Sequence, residues 1–261
     1  MKFQIAIDGP VASGKTAVGR GVSKALKWNF LDTGVIYRAA TRSILDSGIS
    51  FEEDSTIIET VKITSIEIES SQDSEKILIN GIDKTSTLKT LEIDRAVSII
   101  SKIPEVRKEL VRQQRNIASQ GPIVMVGRDI GSVVLPEAAL RVYLDANVEI
   151  RAKRRYEEQI ASEDKLSLNE VKVDLERRDL IDTQREDSPL SKDDFYTIID
   201  TTLMNLEDVA SPNSNGDPAG SYTDLIEDVK AENPFTSFKM AESKVFISDA
   251  IGTLPEKERL V

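Results

Sequence analysis

Gly9-Pro10-Val11-Ala12-Ser13-Gly14-Lys15-Thr16 fits the pattern G-x-x-x-x-G-K-[ST] at every fixed position. Before it, Phe3-Gln4-Ile5-Ala6-Ile7 is a short, β-branched run halted by Asp8-Gly9-Pro10, which reads as a buried strand ending in a sharp turn. After it, Lys15 to Leu26 sets Val18, Val22, Ala25 and Leu26 on one face at helical spacing. A strand, a glycine loop and a helix together give the pattern a mechanism. The glycines let the chain curl until successive N–H groups point at phosphate oxygens, and the helix adds the positive end of its dipole. Lys15 then reaches the β- and γ-phosphates, and the Thr16 hydroxyl is a ligand for Mg²⁺. The predicted triphosphate-binding stretch is thus Gly9, Pro10, Val11, Ala12, Ser13, Gly14, Lys15, Thr16 and Ala17. The competing reading is an ordinary strand-to-helix turn with an exposed lysine.

Strands and helices alternate outward from this point. Trp28 to Leu31 is apolar and halts at Asp32-Thr33-Gly34, and Ile36 to Leu45 resumes a helical pattern. Ile63 to Glu69 alternates, and Lys76 to Ile79 mirrors it across Ser70-Ser71-Gln72-Asp73, predicting a hairpin. Val97 to Gln114 reads as helix, with Pro104 near a helix start. Pro122 to Val126, Leu140 to Leu144 and Thr197 to Asp200 read as further short strands. Glu149 to Gln159 and Leu168 to Asp187 are long charged helices with many i,i+4 pairs, and Thr202 to Val209 begins another helix. This alternation predicts an α/β fold: a parallel sheet flanked by helices. Ser211 to Ser221, SPNSNGDPAGS, is linker-like, and the acidic stretch 210–261 is expected to be a flexible tail or a docking element.

Composition removes whole classes of chemistry. The chain has 261 residues, no cysteine and no histidine, so thiol nucleophiles, imidazole-bound zinc and Ser-His-Asp hydrolysis are excluded. A formal net charge of -11 argues against a duplex nucleic acid partner. No run is long and apolar enough for a membrane span, and the N-terminus lacks a signal-peptide core. A cytoplasmic protein is expected.

Three further clusters carry functional residue types. Asp32-Thr33-Gly34-Val35-Ile36-Tyr37-Arg38 sits at the carboxyl end of a predicted strand and offers a hydroxyl and a guanidinium about one helical turn apart. Read alone, it is equally a capped helix start. Gly127-Arg128-Asp129-Ile130-Gly131 follows another strand and pairs a phosphate clamp with an acceptor for an amino group. Arg178, Asp182 and Arg185 lie at i, i+4 and i+7, either as a solvated salt-bridging face or as a lid whose arginines close over a phosphoryl group.

IDGPVASGKT, LDTGVIYRA, VGRDIGSVVLPEA, LDANVEIRAKRR, RRDLIDTQREDSPL and IIDTT occur in one order. That order resembles the bacterial cytidylate kinase family over residues 1–209. The resemblance implies a P-loop NTPase-type sheet, a monophosphate-binding insert at about 61–101 and a helical lid at about 154–190. It implies phosphoryl transfer from ATP, with Mg²⁺, to CMP or dCMP by a monomer. Thr33, Arg38 and Arg128 resemble the acceptor-phosphate grip, and Ser98, Arg107 and Asp129 the group that reads the cytosine edge. Asp182 with Arg178 resembles the sugar-side contact, and Arg185 a lid contact near the phosphates. Lys15, Arg128, Arg178 and Arg185 are then the catalytic candidates. Arg151, Arg154 and Arg155 resemble holders of the donor phosphates, though similar runs occur on surface helices. One departure stands out: the family has a carboxylate immediately before Gly-Arg-Asp, and this sequence has Val126. Its loss is expected to weaken Mg²⁺ positioning unless Asp8 or Asp129 substitutes. The alternatives are a kinase for another monophosphate, such as UMP or AMP, and a catalytically weakened nucleotide-binding protein.

Overall fold

The computed structural model describes residues 3–70, 75–159, 166–185 and 187–203. In chain order the strands are β1 (Gln4–Asp8), β2 (Asn29–Asp32), β3 (Ile66–Ser70), β4 (Glu75–Ile79), β5 (Ile82–Asp83), β6 (Ile123–Val126), β7 (Leu140–Asp145) and β8 (Thr197–Asp200). The helices are α1 (Lys15–Leu26), α2 (Thr33–Asp46), α3 (Asp54–Ile63), α4 (Leu91–Ile100), α5 (Pro104–Ala118), α6 (Val148–Gln159) and α7 (Leu168–Gln184). The chain divides into two units: residues 1–31 together with the chain from Ala118 onward, and Asp32–Ile117.

The first unit is built on a sheet of five strands in the order β2-β6-β1-β7-β8. β1 runs parallel to both neighbours, with Ile5 opposite Val124 and Leu140, and β7 runs parallel to β8. All residues of β1 and β6 are buried, as expected for strands covered by helices on both faces. Ile5, Ile7, Val124, Val142 and Leu144 form one core with Val18, Val22 and Leu26, the apolar stripe of α1. The chain leaves β1 through α1 and returns in β2, with β6 lying between the two. Such a switch point, at the carboxyl ends of the strands, is where open α/β sheets bind ligands. The fold is therefore the α/β sheet flanked by helices that the sequence predicts. α6 and α7 pack through Ala152, Val171 and Leu175, with Lys172 Nζ 2.7 Å from Glu149.

The second unit contains the predicted hairpin, now an antiparallel sheet of three strands in which Ile68 faces Ile77 and Ile66 faces Ile79. Ile77, Ile79 and Leu88 pack on Ala39 of α2.

Several boundaries differ from the sequence reading. Val97 to Gln114 is not one helix, because α4 ends at Ile100 and α5 starts at Pro104. Proline lacks the N–H that a continuing helix needs and is at home in a first turn. Ile63 closes α3 and does not open the strand, which begins at Ile66. α7 stops at Gln184, three residues short of Asp187, with Arg185 already extended. Thr202 and Leu203 form a turn, and the rest of the helix expected over Thr202–Val209 lies outside the described residues, as does the tail. No helix among the described residues is long and apolar enough to cross a membrane.

Candidate active site

The glycine loop has the conformation its sequence requires. Gly9 has φ +148°, and a Cβ there would sit 2.1 Å from the Leu144 carbonyl oxygen. A side chain therefore has no room beside β7. Gly14, at φ +92°, is the N-cap of α1, with Lys15 and Thr16 in its first turn. Lys15 Nζ turns back across the loop, donating to the Pro10 carbonyl at 2.5 Å and to Ser13 Oγ at 3.4 Å. Ser13 is buried and Ala17 half-buried, while Thr16 is exposed on the helix start.

Side chains from distant segments pin this loop from beneath. Thr201, just past β8, donates its hydroxyl to the Ser13 carbonyl at 2.9 Å, and Arg154 of α6 holds Thr201 through its carbonyl (2.6 Å) and hydroxyl (3.3 Å). Arg151 donates to the Val11 carbonyl at 3.3 Å and to the Ala146 carbonyl at 2.9 Å, and pairs with Asp179 of α7 at 2.8 Å. Both guanidinium groups are buried, and Arg155 pairs with Glu158. Arg151 and Arg154 thus support the loop from α6.

The Gly-Arg-Asp segment and α7 meet in an alternating set of charges. The Arg128 guanidinium pairs with the Asp182 carboxylate. Arg185 lies 3.8 Å from Asp182 and 3.8 Å from Asp129, and its Nε donates to the Ser188 carbonyl at 2.6 Å. Asp129, Asp182 and the Arg185 side chain are all nearly enclosed. Arg178, half-exposed on α7, sits one turn before Asp182. Arg128 and Asp129 follow β6, which runs parallel to the β1 strand that leads into the glycine loop, so both leave the same end of the sheet. Asp182 and Arg185, more than 50 positions later, reach them through these ion pairs.

Asp8 does not face the loop. It is wholly buried, accepts from the backbone N–H of Ile130 (2.8 Å) and of Gly131 (2.7 Å), and receives the Tyr196 hydroxyl at 2.8 Å. Burial pushes its pKa up to about 6 and nearby Asp129 adds to this, while the three donors pull it back. The same burial and the Asp8 charge push Tyr196 up. Val126 is also buried, packed against Gly19 and Phe30 in the apolar core. Neither position therefore offers an acid to a metal. Among the described residues no group of three or more His, Cys, Asp or Glu could hold a metal ion. The Thr16 hydroxyl fits a cation bound chiefly by nucleotide phosphates and water, which is how Mg²⁺ prefers to be held.

The remaining candidates lie in the second unit. Asp32 caps α2, its carboxylate accepting from Gly34 N–H at 3.0 Å, and Thr33 is buried in the first turn. Arg38 pairs with Asp94 at 2.5 Å and donates to the Leu88 carbonyl at 3.3 Å. Ser98, one turn after Asp94 on α4, donates to its carbonyl at 3.5 Å. Arg107 is buried, stacked 5.8 Å from the Tyr37 ring centroid and bonded to the Ser101 carbonyl. Within this unit Arg38 and Ser98 thus meet through Asp94, and Arg107 reaches α2 through Tyr37. Sequence reasoning missed Asp94, Tyr37, Tyr196 and Thr201 as partners. Tyr37 and Thr201 left a signal, as parts of the runs LDTGVIYRA and IIDTT, while Asp94 and Tyr196 left none.

A family model described as cytidylate kinase matches residues 5–213. The cytidylate kinase of Geobacillus sp. (strain WCH70) is 42% identical over 207 residues, covering 79% of this chain and 92% of its own. Those of Bacillus subtilis (strain 168) and Carboxydothermus hydrogenoformans are each 40% identical over 209 residues, covering 80% of this chain and 93% and 94% of theirs.

Proposed function

The chain belongs to the cytidylate kinase family of phosphotransferases, and on that premise we propose that it transfers the γ-phosphoryl group of ATP to the 5′-phosphate of CMP or dCMP. The observation that carries the reading is the pairing of a glycine loop bearing Lys15 with the Arg128–Asp182–Arg185–Asp129 charge set in the same unit. Lys15 and the loop amides bind the donor's β- and γ-phosphates. Thr16 is the protein ligand of the Mg²⁺ that accompanies ATP, and this cation supplies charge neutralisation on the donor phosphates. The acceptor oxygen is already anionic, so no general base is needed, and a chain without histidine loses nothing. Catalysis is placement and charge neutralisation, the latter from Lys15, Arg128, Arg178 and Arg185.

In this reading Thr33, Arg38 and Arg128 hold the acceptor phosphate, and Asp182 with Arg178 holds the sugar. Ser98 and Asp129 accept from the exocyclic amine of cytosine, while Arg107 donates to the ring. Uracil presents a carbonyl where cytosine has its amine, so these acceptors would be left unpaired. The protein acts as a cytoplasmic monomer.

ADP release measured with CMP, dCMP, UMP and AMP tests the proposal. Turnover with the cytidine nucleotides that exceeds UMP by about a hundredfold is expected. Preferred turnover of UMP or AMP would replace the acceptor. A second reading, a nucleotide-binding protein with weakened catalysis, is favoured by one observation: the apolar Val126 where the family carries an acid. ATP binding without turnover of any acceptor would select it.

A further inference from the structure

Asp8 is the last residue of the central strand, and its carboxylate is spent on the Gly-Arg-Asp segment. One oxygen accepts from Ile130 N–H and the other from Gly131 N–H, the two amides that follow Asp129. There the chain makes a single π-helical turn, Ile130–Val134, in which Val133 and Val134 both donate to the Asp129 carbonyl at 2.9 and 3.1 Å. The first amides of that turn have no partner within it, and a carboxylate with two oxygens matches them in number and charge. The bracket is closed on its other sides. Tyr196 donates its hydroxyl to Asp8 at 2.8 Å, and Arg141 donates to the Gly131 carbonyl at 3.4 Å. A Cβ on Gly131 would lie 2.8 Å from the Tyr196 hydroxyl and 2.9 Å from Arg141, so the segment is seated without slack.

We propose that Asp8, locked by Tyr196, is the positioning residue for the acceptor: it fixes the main chain that presents Arg128 and Asp129 and so sets affinity for the nucleoside monophosphate. The inference rests on the assignment of Arg128 and Asp129 to that acceptor. Asp8 touches no substrate in this scheme. It acts through the two amides, and the donor side is untouched because the glycine loop is held separately, at its Ser13 carbonyl by Thr201, itself bonded by Arg154, and at its Val11 carbonyl by Arg151.

The test uses Asp8→Asn and the milder Tyr196→Phe. An asparagine offers one acceptor oxygen and turns a donor toward the second amide, so one of the two bonds is lost. With CMP and ATP as substrates, Asp8→Asn is expected to raise KM for CMP about tenfold, and Tyr196→Phe about threefold, with KM for ATP changed by less than about twofold. Equal rises in both KM values, or an unchanged KM for CMP in either folded variant, would overturn the proposal. Amide hydrogen exchange at Ile130 and Gly131 supplies a readout independent of turnover. Protection is expected to drop in both variants, and retained protection would overturn the bracket whatever the substrate. Absence of CMP turnover in the unaltered protein sinks the acceptor reading instead, and the exchange experiment still decides the bracket. Should Asp8→Asn fail to fold, Tyr196→Phe carries both measurements.

Discussion

The Arg128 guanidinium and the Asp182 carboxylate, 54 positions apart in the chain, form an ion pair that joins the Gly-Arg-Asp segment to α7. Both side chains are largely enclosed, and Arg185 stands 3.8 Å from the same carboxylate. Asp182 therefore separates two guanidinium groups that would otherwise repel. Asp182→Ala should leave those cations facing each other. The expected result is a rise of about tenfold in KM for CMP, with a loss of roughly 1–3 kcal/mol in unfolding free energy. Steady-state kinetics and urea unfolding check the two parts, and an unchanged KM would remove Asp182 from the acceptor site.

Lys15 donates to its own loop, to the Pro10 carbonyl and to Ser13 Oγ, and the residue is half-buried. Removing it should cost the transition state more than the fold. Lys15→Ala is expected to lower kcat by about a thousandfold or more while changing unfolding free energy by less than about 1 kcal/mol. Near-normal turnover in the variant would take the glycine loop out of the mechanism.

What the sequence disclosed follows from how locally each feature is specified. The glycine loop was legible because its strand, turn residues and helix stripe are contiguous, from Ile5 to Leu26. The hairpin was legible because Ile66, Ile68, Ile77 and Ile79 keep the two-residue period of a half-buried sheet. α3 went unread because only Ile57 and Val61 of its residues are buried, too narrow a stripe to show a period. The π-helical turn was invisible for a different reason: its N-terminal amides are capped by Asp8, 122 positions away. Arg151 and Arg154 illustrate the same limit. Their neighbourhood is a run of charge that reads as solvated surface, yet both end on carbonyls of the loop and of β8's exit. A buried guanidinium that bonds backbone has no signature in composition.

Val126 lies in the core with Val18, Val22 and Phe30. Restoring the family's acid with Val126→Asp sets two effects against each other. A carboxylate supplied at this strand end should anchor the waters of Mg²⁺ and lower the Mg²⁺ concentration needed for half-maximal rate. The same carboxylate replaces a fully buried methyl pair beside Gly19, at an expected cost of about 2–4 kcal/mol in stability without the metal. Mg²⁺ titration of the rate, alongside thermal unfolding with and without Mg·ATP, separates them. An unchanged Mg²⁺ requirement would mean that the acid is supplied from another position.

The Asp8 carboxyl gives a pH signature with a definite sign. Its folded pKa is raised from 3.8 to about 6, chiefly by burial, so the folded state holds this proton more tightly than the unfolded chain does. The groups that face it are Asp129, which raises it, and the Tyr196 hydroxyl and the Ile130 and Gly131 amides, which lower it; Tyr143 on β7 feels its charge in turn. Protonation of Asp8 therefore stabilises the fold. That contribution is complete below about pH 4, declines as pH rises toward 6, and is absent above it, an amplitude of about 3 kcal/mol for a shift of about two units. Asp46, Glu109 and Glu149, each paired and held below the ordinary carboxylate range, act in the opposite direction as pH falls. The difference between the unaltered protein and Asp8→Asn isolates the single group. Urea unfolding at pH 4.5, 5.5 and 7 should show the unaltered protein gaining on the variant as pH falls through this window. Tyr196→Phe removes a donor that lowers the Asp8 pKa, so its window should begin at higher pH. A difference curve flat with pH would place the ionised carboxylate in solvent contact and remove the strain that burial imposes on it.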